Sequence, residues 1–109
     1  MVLIHRANNE SLPYPDEYFD CYISNLSLEH VENYKKQISE SARVLQPKSF
    51  AGFSIPGRPD HSLMMSSIHE ILAKHGFIKE IDYSKTHFYL SLDDQKLKKD
   101  FEEQGFENI

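Results

Sequence analysis

The stretch Leu12-Pro13-Tyr14-Pro15-Asp16-Glu17-Tyr18-Phe19-Asp20 runs straight into Cys21-Tyr22-Ile23 and then Ser24-Asn25-Leu26-Ser27-Leu28-Glu29-His30-Val31. No other part of the chain narrows the possible folds as much. Each proline lacks an amide hydrogen and disfavours helix at the residue before it, so 12–15 must approach the next element in extended form. The apolar run over 19–24 then predicts a strand buried on both faces, the pattern of a parallel sheet covered by helices. Its polar end at Ser24 and Asn25 opens onto helix-forming sequence. In open α/β sheets that carboxyl end of a strand is where ligands sit.

The rest of the chain extends this pattern. Val31, Tyr34, Ile38, Ala42 and Leu45 recur at spacings of three and four, which predicts a helix over 31–45 stopped by Pro47. Residues 49–55 read as a second strand closed by the Pro56-Gly57 turn, completing a strand, helix, strand unit. Upstream, 2–6 predicts a further short buried strand, ended by the turn formers Ala7-Asn8-Asn9. A helix over 62–75 carries Met64, Ile68, Ile71, Leu72 and His75 on one side and stops at Gly76. Residues 77–92 read as a short strand or a cap-like excursion. A helix over 93–104 follows, with Ser91 and Asp94 as a variant capping box, Leu97 and Phe101 inward and Gly105 as its stop. Residues 106–109 should begin another strand. With no repeat, low-complexity stretch or linker, 1–109 reads as one unit. A parallel sheet lacking neighbouring strands exposes apolar edges, so other chain segments complete it or it is marginal alone.

Composition excludes several function classes. Among 109 residues, 17 acidic against 12 basic side chains give a net charge of −5. The longest basic blocks are Lys35-Lys36 and Lys96-Leu97-Lys98-Lys99. Direct nucleic-acid binding is therefore disfavoured. The single cysteine, Cys21, excludes an internal disulfide, and its place in the apolar run predicts a small buried hydrophobe. No segment approaches the roughly 20 apolar residues of a membrane span, and a cytoplasmic location is the expectation. His61, His69, His75 and His87 show no metal-ligand spacing and have no cysteine companions, so no metal site is expected. Glu10 and Glu29 read as solvated or helix-end charges rather than an acid/base pair.

The order and the residues of 12–31 resemble the class I S-adenosylmethionine-dependent methyltransferases. The likeness is to the type 11 and quinone-biosynthesis branch, whose chains carry LPFPD-x-x-FD and then a strand ending in Ser-Asn. It resumes at Ala42-Arg43-Val44-Leu45-Gln46-Pro47, where that branch reads RVLKPGG; here Lys48-Ser49 replaces the paired glycines. The resemblance implies a partial Rossmann-like α/β fold, a mostly parallel sheet flanked by helices, running from a third strand to the start of a sixth and lacking the first strands. It implies methyl transfer from S-adenosylmethionine to a small-molecule or lipid-like acceptor by the parent enzyme, the 109-residue piece being inactive alone.

The resemblance also implies roles for individual residues. At the position of Asn8 relatives bond the adenine amino group, and the next residue's backbone, here Asn9, faces a ring nitrogen; the alternative is that both only form the turn. Ser24, Asn25 and Leu26 lie where relatives flank the methionine and ribose, and His30 where relatives place a histidine near the start of a helix. Arg58 and His61, in the loop after the second strand, and Tyr89 are candidates for touching the acceptor; Tyr83, His87, Phe88 and Tyr89 either close over it or pack on the sheet. A glycine-rich first loop and a ribose-gripping acidic residue find no counterpart in 1–109. Two other readings stand beside the enzyme: a non-enzymatic methyltransferase-like module docking on a partner through an exposed sheet edge, and, more weakly, half of a nucleotide-binding dehydrogenase.

Overall fold

The computed structural model describes residues 1–79 and 81–109. Glu80, inside the excursion expected over 77–92, lies outside the described residues. The elements, in chain order, are strand β1 (Phe19–Asn25), helix α1 (Tyr34–Val44), strand β2 (Leu45–Ser54), helix α2 (Leu63–Lys74) and helix α3 (Asp94–Glu102). Short 3₁₀ turns at Pro59–His61, Tyr83–Lys85 and Tyr89–Leu92 join them. β1 and β2 pair in parallel and α1 crosses between them, so the α/β unit is as expected.

α1 starts three residues later than its apolar pattern because Asn33 caps it, the side chain accepting from the amide of Lys36. It ends at Val44 and the chain passes directly into β2, whose first residue already pairs with β1 (Phe19 with Leu45). Pro47 therefore lies within the second strand rather than before it. The pairing jumps from Phe19 with Leu45 to Cys21 with Phe50, so 46–49 bulge out, and a bulge is where a strand tolerates proline. Lys48 sits in the bulge at φ +66°, the left-handed region a side chain disfavours.

The core lies on one side of the sheet. Leu28 and Ile38, both fully buried, pack with Leu90 and Phe101, while Phe53, Ile55, Leu97 and Phe106 close the periphery. Leu97 and Phe101 thus point inward as their spacing predicts. The true cap of α3 is Asp93, which accepts from the amide of Lys96, not the Ser91 and Asp94 pair. Gly76 and Gly105 both stand at positive φ just past their helices, as helix stops require. Behind α2, the amide of Phe77 donates to Leu72 O and that of Gly76 to Ala73 O, a Schellman closure.

Four expectations fail for one reason. Residues 2–6 form no strand; Val2, Leu3 and Ile4 are all exposed, because no strand lies beside them to complete a ladder. Residues 106–109 likewise form no strand, so the described sheet has two strands; the described residues of 77–92 form short 3₁₀ turns, the excursion rather than the strand. The face of β1 bearing Cys21 and Ile23 is bare, which leaves Cys21 exposed instead of buried. The apolar side of α2 also faces outward, with Met64, Ile68, Ile71 and Leu72 exposed. Periodicity marks a face as apolar. It does not supply the layer that covers it.

Candidate functional site

Two side-chain networks assemble the carboxyl end of the sheet. The first docks the 8–12 turn. The side-chain oxygen of Asn8 accepts from the amide of Glu10 at 2.9 Å, and its carbonyl accepts from the amide of Ser11 at 2.9 Å, so Asn8 forms the turn. Asn9 Nδ2 donates to Ser27 Oγ at 2.8 Å, tying this turn to the loop that leaves β1. Glu10 accepts from the amide of Asn33 at 2.9 Å, and Glu40 from the amide of Leu12 at 2.7 Å.

The second network closes the strand tips. Ser54, at the end of β2, donates through its hydroxyl to Asn25 Oδ1 at 2.6 Å. The amide of Leu26 reaches both the carbonyl and the hydroxyl oxygen of Ser54 at 3.1 Å. Leu26 takes φ +48°, an uncommon conformation for a leucine and one that turns the chain off the strand. Parallel neighbours end side by side, so Asn25 and Ser54, register partners, form one polar rim. Sequence reasoning passed over Ser54; the signal was a polar residue closing each of two consecutive strands.

Ser24 is placed differently from Asn25. It is buried on the α1 side, where its hydroxyl accepts from Gln37 Nε2 at 3.0 Å, so what it can offer a ligand is backbone. Gln37, fully buried in α1, was likewise invisible to the periodicity. His30 is exposed, with Nε2 3.7 Å from Glu29 Oε1. Glu29 is not solvated as expected: its side chain is only 1% exposed, and Oε2 has no hydrogen-bond partner among the described residues. Glu10 is half-buried and serves the start of α1.

The acceptor candidates fall into two places. Arg58 and His61 both lie against Asp60, at 3.3 and 3.6 Å, on the exposed 3₁₀ turn after β2. Tyr89 instead packs edge-on against Tyr34 beside the core. Burial, then the neighbouring Tyr34 and the charge of Glu29, raise its phenol above the ordinary value. Phe88 is buried, with the His87 ring tilted against it and the Tyr83 ring edge-on. The larger cleft, about 950 Å³, lies between β2 and the 105–109 tail and is lined by other residues, among them Phe50, Phe53 and Ile109.

A separate ionic group holds α3 to α1. The Asp100 carboxylate, 5% exposed, accepts from Lys35 Nζ at 2.6 Å, the Tyr34 hydroxyl at 2.6 Å and Lys96 Nζ at 3.2 Å. Burial pushes its pKa up, but these three donors outweigh that and hold it at about 2. A carboxyl depressed from its unfolded value of about 3.9 stabilises fully above that pH, and the contribution is lost as pH falls through the folded value. Asp100→Asn is expected to melt below the parent at pH 7, with the gap closing between about pH 4 and pH 2. A gap that stays constant across that window would place the effect elsewhere.

Residues 2–53 match the methyltransferase domain family. Over 42 residues the chain is 43% identical to the ubiquinone/menaquinone biosynthesis C-methyltransferase UbiE of Francisella tularensis subsp. novicida (strain U112), a match covering 38% of this chain and 17% of that protein. The protein of the same name from Yersinia enterocolitica serotype O:8 / biotype 1B (strain NCTC 13174 / 8081) gives the same identity and shares. The match thus spans about a sixth of the length of these curated relatives. No solved structure matches the chain.

Proposed function

Since residues 2–53 are a segment of the class I S-adenosylmethionine-dependent methyltransferase family, we propose that this chain supplies one wall of a cofactor pocket in an enzyme that methylates a small-molecule or lipid-like acceptor. The observation that carries this reading is the Asn9 to Ser27 hydrogen bond, which makes the 8–9 turn and the end of β1 one surface. Bound S-adenosylmethionine would bring a methyl group already activated by its sulfonium, leaving the protein to bind and orient. The rim fits that ligand. Asn9, Asn25, Ser27 and Ser54 are neutral hydrogen-bonding groups suited to adenine and ribose, and no lysine or arginine stands among them to repel a positive sulfur.

In this reading the second lone pair of the Asn8 carbonyl oxygen takes the adenine amine and the Asn9 backbone meets the ring. Ser24, Asn25 and Leu26 flank ribose and methionine, and His30 reaches the cofactor from the following turn. Arg58, His61 and Tyr89 meet the acceptor. The chain alone is inactive and binds cofactor weakly, because no G-x-G-x-G turn occurs in its sequence to bring backbone against the ligand. The working location is the cytoplasm. A second reading, a non-enzymatic module docking on a partner subunit, is favoured by β1 having a strand on one side only.

Calorimetric titration of S-adenosylmethionine and S-adenosylhomocysteine separates the two. The chain is compared with a version extended by an upstream segment of its reading frame that carries a strand and G-x-G-x-G. Measurable affinity is expected for the extended form only, weakened by Asn8→Ala. Equally tight binding by the short form would refute the need for upstream residues; no binding by either would favour the docking module.

A further inference from the structure

Glu29 breaks a rule that the neighbouring carboxylates keep. Asp100 accepts from Lys35, Lys96 and the Tyr34 hydroxyl, and Glu40 from the Arg43 guanidinium and the Leu12 amide, so each covered charge there has its donors. Glu29 has none. Its side chain is 1% exposed, Oε2 has no hydrogen-bond partner among the described residues, and Oε1 lies 3.7 Å from Nε2 of His30. Burying a carboxylate without a cation is costly, and folds keep such groups where a charged partner arrives. Oε2 is enclosed by the described residues themselves, so a further strand at the sheet edge would not reach it. The partner has to be a ligand. Glu29 stands in the turn closed by the His30 amide on the Ser27 carbonyl at 3.0 Å, and Ser27 is the residue whose hydroxyl holds Asn9 at 2.8 Å. The unpartnered oxygen therefore belongs to the turn that forms the proposed cofactor wall.

Resting on that pocket reading, we propose that Glu29 is the counter-charge for the sulfonium of S-adenosylmethionine, the residue by which this wall distinguishes the cofactor from S-adenosylhomocysteine. A sulfonium has no hydrogen to donate, so what attracts it is charge rather than a directed contact. A carboxylate oxygen that faces no donor suits that role. Enclosure keeps water from screening it, and in a low-dielectric interior the attraction reaches farther than it would across solvent. The ammonium that could cancel the charge from α3, Lys96, is already engaged by Asp100 and Tyr34. S-adenosylhomocysteine carries the same amine and carboxylate but a neutral thioether, so the sulfur alone separates the two ligands. When the bond from sulfur to methyl breaks, the sulfur keeps the electron pair and becomes neutral. The attraction ends with the transfer, which favours release of the product.

Glu29→Gln keeps the shape of the side chain and removes its charge. In the extended form, calorimetric titration of both ligands at about pH 8, above the ordinary range of an imidazole, reads the effect. The ratio of S-adenosylmethionine affinity to S-adenosylhomocysteine affinity is expected to fall about tenfold, through weaker S-adenosylmethionine binding alone. Melting of the 109-residue chain gives a second readout: the variant should melt at or above the parent, because neutralising a buried charge that has no cation relieves the fold. An unchanged ratio would overturn the proposal, as would an equal loss for both ligands, which marks the shared amine as the partner. A lower melting temperature would overturn it too, by making Glu29 a structural contact. If the extended parent binds neither ligand, the pocket reading itself fails and takes this assignment with it.

Discussion

Leu28→Ala is expected to remove about 3 kcal/mol of stability, whereas Leu26→Ala, two residues earlier, should shift it by less than about 0.5 kcal/mol. Leu28 is fully buried at the centre of the core with Ile38, Leu90 and Phe101, joining the loop after β1 to α1, the Tyr89–Leu92 turn and α3. Removing its three distal carbons loses transfer energy and opens a cavity, together about 3 kcal/mol. A domain of this length holds only about 5 kcal/mol or a little more in total. Leu26 is half exposed and points off the strand tip, so its side chain has little burial to lose. Urea unfolding followed by circular dichroism measures both. Equal losses at 26 and 28 would mean that the core lies elsewhere.

Arg43→Ala is the second large effect, with an expected fall in melting temperature of about 10 °C. The guanidinium donates to the carbonyls of Leu12 and Tyr14 at 3.2 and 2.9 Å, to Asp16 Oδ1 at 2.8 Å, and to both oxygens of Glu40 at 2.7 and 2.8 Å. Glu40, whose carboxyl is held below its usual range first by Arg43 and then, against the opposing effect of burial, by the Leu12 amide, locks the same loop from the helix side. Next to it the amides of Glu17 and Tyr18 donate to the carbonyls of Arg43 and Val44. The proline-rich approach and the end of α1 are one clamp. Arg43→Lys should recover less than half of the loss, since a single ammonium cannot fill a planar fork. Chymotrypsin should cut near Tyr14 and Tyr18 faster in both variants; an unchanged cleavage rate would dismiss the clamp.

That clamp also explains why the two sequence motifs travel together. The segments 12–20 and 42–47 were legible as separate signals, but their connection was not, because an arginine's partners lie 27 to 31 residues away in the chain. The site was legible in a similar, partial way. The 8–9 turn and the loop that leaves β1 meet through Asn9 and Ser27, while the burial of Glu29 and the turning of Ser24 toward Gln37 were not visible. Both depend on which way a side chain leaves the backbone, and in a strand a single residue step reverses that direction.

What the sequence settles by itself is local. The apolar run marks β1, and glycines at 76 and 105 end helices, since each of these depends on a few neighbouring bonds. Tertiary structure alone decided which apolar faces were covered: Ile38 and Phe101 buried, Ile23 and Ile71 bare, although all four sit in equally convincing patterns. Hydrophobic burial needs a second surface, and whether one is present is a property of the whole assembly rather than of the segment that seeks it.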